Sequence, residues 1–135
     1  MLVEHARNLA GIQDATHAEY RAGGTEVISL LGCSLQGQTI TVALAPGSRL
    51  ARLYGALQAV ERTTCSYGLA LEMQHIASEH GMRPVAIDDT GEVRAVERTD
   101  HPFFLATLYQ PQLRSEPRRP HPIFVGLLRA VTRRD

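Results

Sequence analysis

The side chains with which this chain could do nucleophilic or metal chemistry are two thiols, Cys33 and Cys65, and six histidines. A cysteine nucleophile needs a depressed thiol pKa and a partner base, whereas a free cysteine ordinarily packs as a small apolar group. Spacing offers no shared motif: the sequence contains no C-x-x-C, no phosphate-binding glycine loop and no G-x-S-x-G. His75 and His80 stand five apart on one helical segment, and a metal pair on a helix needs i, i+3 or i, i+4 spacing. No metal site and no cofactor is expected. Two cysteines in a chain of 135 residues point to reduced thiols rather than a disulfide framework. A disulfide would require their Cα atoms to approach within about 7 Å.

The elements that must position these groups alternate between helix and strand, which reads as an α/β fold. Leu2, Val3, Ala6, Leu9 and Ala10 share a helical face that Gly11 ends, with no capping residue before it. Residues 12–26 read as a loop and Val27 to Leu31 as a short strand. Ile40, Val42 and Leu44 alternate with Thr39, Thr41 and Ala43 as in a half-buried strand. Ser48 caps a short helix running to Tyr54, and Gly55 closes it. A helix holding Leu71, Met73, Ile76 and Ala77 ends at Gly81. Asp88-Asp89-Thr90-Gly91 between two apolar runs predicts a hairpin of 82–87 with 92–97. Phe103 to Tyr109 is a continuous apolar run, as for a strand covered on both faces. Pro111, Pro117, Pro120 and Pro122 mark an extended loop, and Ile123 to Val131 a closing helix.

The run from His101 through Leu113 (HPFFLATLYQPQL) resembles the last strand and catalytic loop of the C-terminal amidotransferase domain of CTP synthases. That loop reads HPFF, a short apolar stretch, then F-H-P-E-F. The resemblance continues through Ser115, Pro117, Arg119-Pro120 and His121-Pro122 to Leu127. Upstream, Glu4-His5-Ala6-Arg7-Asn8 is similar to E-F-A-R-N, Ala15 to Tyr20 to A-N-S-T-E-F, and Ala45-Pro46-Gly47-Ser48 with Tyr54-Gly55-Ala56 to the segment before the glutamine-site loop. Glu61-Arg62 and Tyr67 fit E-R-H-R-H-R-Y. The A-T-L-Y-Q-P ending and Cys65-Ser66-Tyr67-Gly68 bring the chain closest to the CTP synthase C-terminal-region-related proteins.

The resemblance implies a single domain over 1–135 with a partial flavodoxin-like class I glutamine amidotransferase fold, lacking the strands before the nucleophile elbow. The departures imply a pseudoenzyme. The elbow cysteine is expected a few residues before Met1, and is therefore absent. The base position holds Gln110 and the orienting position Gln112; an amide has no pKa near neutrality and takes no thiol proton. Gln110-Pro111-Gln112 then reads as a catalytic loop kept for structure. The arginine that clamps the glutamine carboxylate is replaced by Ser66, beside Tyr67, whereas Glu19 keeps the carboxylate that reads the substrate amine. His101 matches a structural position.

All fourteen basic residues are arginine, balanced by fourteen acids, which argues against a nucleic-acid partner. The arginines from Arg114 to Arg134 read as a solvated, frayed tail. No apolar run could span a bilayer, and the first residues do not read as a secretory signal, so the expected compartment is the cytoplasm. Removal of the strands before the elbow would leave the first helix face bare, which predicts a homodimer or a partner covering the open edge. Two functions of different class stand side by side. One is a non-catalytic domain acting by binding or association in pyrimidine nucleotide and glutamine metabolism. The other is a thiol-dependent enzyme using Cys65 or Cys33, as in a truncated amidotransferase.

Overall fold

A computed structural model describes residues 1–20 and 23–132. Arg21 and Ala22 of the expected 12–26 loop, and Arg133 and Arg134 of the expected tail, lie outside the described residues. The elements run α1 (Leu2–Asn8), β1 (Ala15–His17), β2 (Thr25–Leu30), β3 (Gln38–Leu44), α2 (Arg49–Tyr54), β4 (Gln58–Thr63), β5 (Tyr67–Leu69), α3 (Leu71–Glu79), β6 (Met82–Asp88), β7 (Val93–Arg98), β8 (Phe104–Thr107) and α4 (Pro122–Thr132). They form two sheets, one ordered β1-β2-β5 and the other β4-β3-β6-β7-β8. Only β1 and β2 pair in parallel; every other described pairing is antiparallel. The fold is mixed α/β, as expected.

Where local chemistry is strong, the expectations hold. In β3, Ile40, Val42 and Leu44 are buried while Thr39, Thr41 and Ala43 are exposed. The Ser48 hydroxyl accepts from the Ala51 amide at 2.9 Å, and Gly55 ends α2 at φ 67°, where a side chain would be strained. Asp88 shapes the β6–β7 turn by accepting from the Thr90 amide at 3.0 Å, the Thr90 hydroxyl at 2.6 Å and the Glu92 amide at 3.0 Å. Leu50 of α2 is fully buried, a burial that contributes about 1.5–3 kcal/mol.

Three expectations of local structure fail. Residues 12–26 are not all loop, because β1 lies within them and pairs with β2. The run at 103–109 is not covered on both faces: β8 is an edge strand and all four of its residues are half-buried. The proline segment begins with a 3₁₀ turn over Pro111–Arg114, because proline fits the first position of a helical turn. The bare face expected of the first helix is present only in part. Leu2 and Ala6 are buried with Val27, Leu69 and Met73, and Arg7 ties α1 to β1 by donating to the Ala15 carbonyl at 2.7 and 3.0 Å. The segment after Gly11 folds back against Leu2 and Ala6, while Leu9 of the same face stays exposed.

Candidate functional site

A cavity of about 260 Å³ lies between the first turn of α1 and the strands β1, β5, β7 and β8. Its polar lining comes from His17, Cys65, Tyr67 and Thr107, and its apolar lining from aliphatic side chains such as Leu69 and Val96. The two sheets and α1 meet here, so the cavity exists only in the folded chain.

Cys65 sits in the short connection from β4 to β5. Its amide donates to the Thr63 hydroxyl at 3.2 Å. Its sulfur accepts from the Tyr67 amide and donates to the Tyr67 carbonyl, both at 3.4 Å. The thiol is thus built into a tight backbone loop. The Tyr67 ring stands 5.1 Å from the His17 ring, and the Tyr20 ring 5.0 Å from it. His17 Nδ1 accepts from the Glu19 amide at 3.1 Å, so the ring proton resides on Nε2. In that tautomer the imidazole offers the cavity a donor, not a base.

Gln110 has a structural part. Its side-chain oxygen accepts from the Thr64 amide at 2.7 Å, and its own amide donates to the Arg62 carbonyl at 3.1 Å. It therefore staples the exit of β8 to the connection that carries Cys65. Gln112 lies exposed in the 3₁₀ turn. The Ser66 hydroxyl points to the Ser34 hydroxyl at 2.8 Å, and its carbonyl accepts from the Leu31 amide at 2.8 Å. Glu19 is exposed, and its carboxylate, beside Tyr20, holds that hydroxyl above its ordinary range. Of the candidate residues, the structure brings Cys65 and Tyr67 together on the cavity wall. Gln110 is placed behind it, and Gln112, Ser66 and Glu19 lie off it. Cys33 is exposed and lines a different cavity, of about 460 Å³, with Asp88 and Arg94.

Sequence reasoning missed His17, although the residue lies inside the Ala15–Tyr20 segment that carried the resemblance. Among the described residues no three histidine, cysteine or acidic side chains gather as a metal site. Both cysteines are free, so titration of denatured, unreduced protein should find two thiols per chain. Fewer than two in fresh protein would contradict it.

No family model matches the chain. Curated relatives are CTP synthases. That of Synechococcus sp. strain WH7803 is 35% identical over 144 residues, covering 98% of this chain and 26% of the relative. That of Phenylobacterium zucineum is 29% identical over 153 residues, covering 99% and 28%. The match falls in their C-terminal part, and the chain spans about a quarter of their length. The solved glutaminase domain of Trypanosoma brucei CTPS, with bound acivicin, superposes at a TM-score of 0.91 with 25% identity, over 99% of this chain and 56% of that one. The chain is a homologue of the glutaminase part of CTP synthases, with the same fold.

Proposed function

We propose that this homologue of the CTP synthase glutaminase domain binds a small ligand without hydrolysing glutamine, and acts by binding or association in pyrimidine nucleotide and glutamine metabolism. The observation that carries the reading is Gln110. Its carbonyl oxygen is engaged by the Thr64 amide, so the side chain at the base position supports the wall of the cavity and moves no proton. In this reading the ligand occupies the cavity that Cys65 and Tyr67 line. An amide-resolved NMR titration with glutamine tests this. Shifts should saturate at His17, Tyr67 and Thr107, with the glutamine recovered intact. An unchanged spectrum at millimolar glutamine would remove glutamine as the ligand.

The second reading, a thiol-dependent enzyme, is favoured by one observation: Cys65 and His17 line the same cavity. Against it stand the backbone contacts that hold the sulfur and the tautomer of His17. Alkylation rate against pH separates the two readings, because a nucleophile reacts well below the pH at which an ordinary thiol does. Exposed Cys33 supplies the internal reference, and Cys65 is expected to react more slowly than Cys33 at neutral pH.

Self-association completes the proposal. With Leu2 and Ala6 of α1 buried, the surface that supports it is α4, where Leu127, Leu128 and Val131 are exposed along one side. Light scattering over a dilution series should give a mass above the 14.8 kDa of one chain. A single-chain mass at every micromolar concentration would rule it out.

A further inference from the structure

A third cavity, of about 170 Å³, opens where β4 meets the start of α4. It shares no lining residue with the cavity that holds Cys65. Glu61 lines it, although the side chain is only 1% exposed. One carboxylate oxygen, Oε1, accepts from the Tyr54 hydroxyl at 2.7 Å and lies 3.1 Å from His121 Nε2. His121 Nδ1 accepts from the Ile123 amide at 3.3 Å, which leaves the ring proton on Nε2, pointed at Glu61. The Tyr109 hydroxyl donates to that of Tyr54 at 3.2 Å. Burial, and behind it Tyr109 and Glu61, push the Tyr54 hydroxyl far above its ordinary value, so it stays a donor.

Tyr54 and His121 both serve Oε1. The other oxygen, Oε2, is buried and has no hydrogen-bond partner among the described residues. A buried carboxylate oxygen without a donor is costly, and a donor entering from the cavity would relieve that cost. The rim carries two arginines, of which Arg119 has its guanidinium 3.8 Å from the Glu116 carboxylate. Arg114 Nη1 stands 3.9 Å from Glu61 Oε1. Arg119 sits on a tight loop closed by reciprocal backbone bonds with Glu116, at 3.2 and 3.0 Å. Both arginines are exposed, and their guanidinium forks match a carboxylate.

We infer that this cavity binds a small zwitterion, an α-amino acid, whose ammonium donates to Glu61 Oε2 and whose carboxylate meets Arg114 and Arg119. Neither half of the ligand suffices. A lone amine faces two guanidinium groups, and a lone carboxylate faces Glu61.

Separate NMR titrations with glycine, methylammonium and acetate test the inference on the whole chain. Glycine should give saturable shifts at the amides of Glu61, Ser115 and His121. Its midpoint should lie at least about tenfold below that of either half, since each charged hydrogen bond is worth that factor or more. Arg114→Ala changes an exposed position and should weaken glycine binding about tenfold with the thermal midpoint unmoved. Glu61→Gln keeps the volume, removes the charge and should abolish the glycine shifts. Acetate acting as tightly as glycine, or no saturable glycine shift in the parent chain, would overturn the inference; the first makes this a plain anion site, and the second leaves water alone on Oε2.

Discussion

Incubated with glutamine, the purified chain should release no ammonia above the blank. The parent chemistry needs an imidazole to take a thiol proton and a carboxylate to orient it. By the resemblance those positions fall on Gln110, engaged with the Thr64 amide, and Gln112, exposed on the 3₁₀ turn. Loss of a triad member typically lowers turnover by about 10⁴-fold or more, which takes the rate into the background. The double variant Gln110→His with Gln112→Glu should stay inactive. Cys65, the cysteine that lines the cavity, follows β4 and has its sulfur held between the Tyr67 amide and carbonyl. Cys65 is thereby not set on a strand-to-helix turn with its sulfur free. Glutamine turnover by the unaltered chain would sink the non-hydrolytic reading.

Asp88→Ala should cost about 3–5 kcal/mol of folding stability, a large part of the about 5–15 kcal/mol that a domain possesses. Asp88 Oδ2 accepts from Arg94 Nε at 2.6 Å, and both side chains are 3% exposed. Removing the carboxylate leaves a buried guanidinium without its counter-charge, and Arg94 Nη1 already has no partner among the described residues. Replacing both residues with apolar ones should recover most of the loss, because the penalty lies in the orphaned charge and not in the absent pair. Urea midpoints of the single and double variants measure this. A loss below about 1 kcal/mol, the scale of an exposed pair, would show that the ion pair is solvated.

The same carboxyl sets an acid response. Burial by itself raises the Asp88 pKa, but the bonds from Thr90 and Arg94 and the Glu92 amide outweigh it and hold the group below its ordinary value. A depressed carboxyl contributes stability that is complete above the unfolded value of about 3.9 and is lost as pH falls through the folded value. Stability of the parent chain should therefore drop more steeply below pH 4 than that of Asp88→Asn, whose amide does not titrate.

What the sequence determined by itself was whatever depends on neighbouring residues. The alternation of Ile40, Val42 and Leu44 defines a strand face, Ser48 and Gly55 bound α2, and Asp88 to Gly91 make a turn through short-range hydrogen bonds. The amides of Gln110 and Gln112 were equally legible, since an amide is an amide in any fold. The tertiary structure decided the rest. In β4 the inward set is Ala59, Glu61 and Thr63, too polar for apolar periodicity to reveal, so both the strand and its buried carboxylate were missed. The partner that makes burial of Glu61 tolerable, His121, lies 60 residues further on. β1 is three residues long and exists because β2 lies beside it. β8 reads as a core strand, yet sheet order puts it at an edge. The burial of Leu2 and Ala6 on α1, and the meeting of His17 with Cys65 in one cavity, depend on contacts between segments far apart in the chain. Local sequence fixes propensity and chemistry, whereas burial and partnership are properties of the assembled chain.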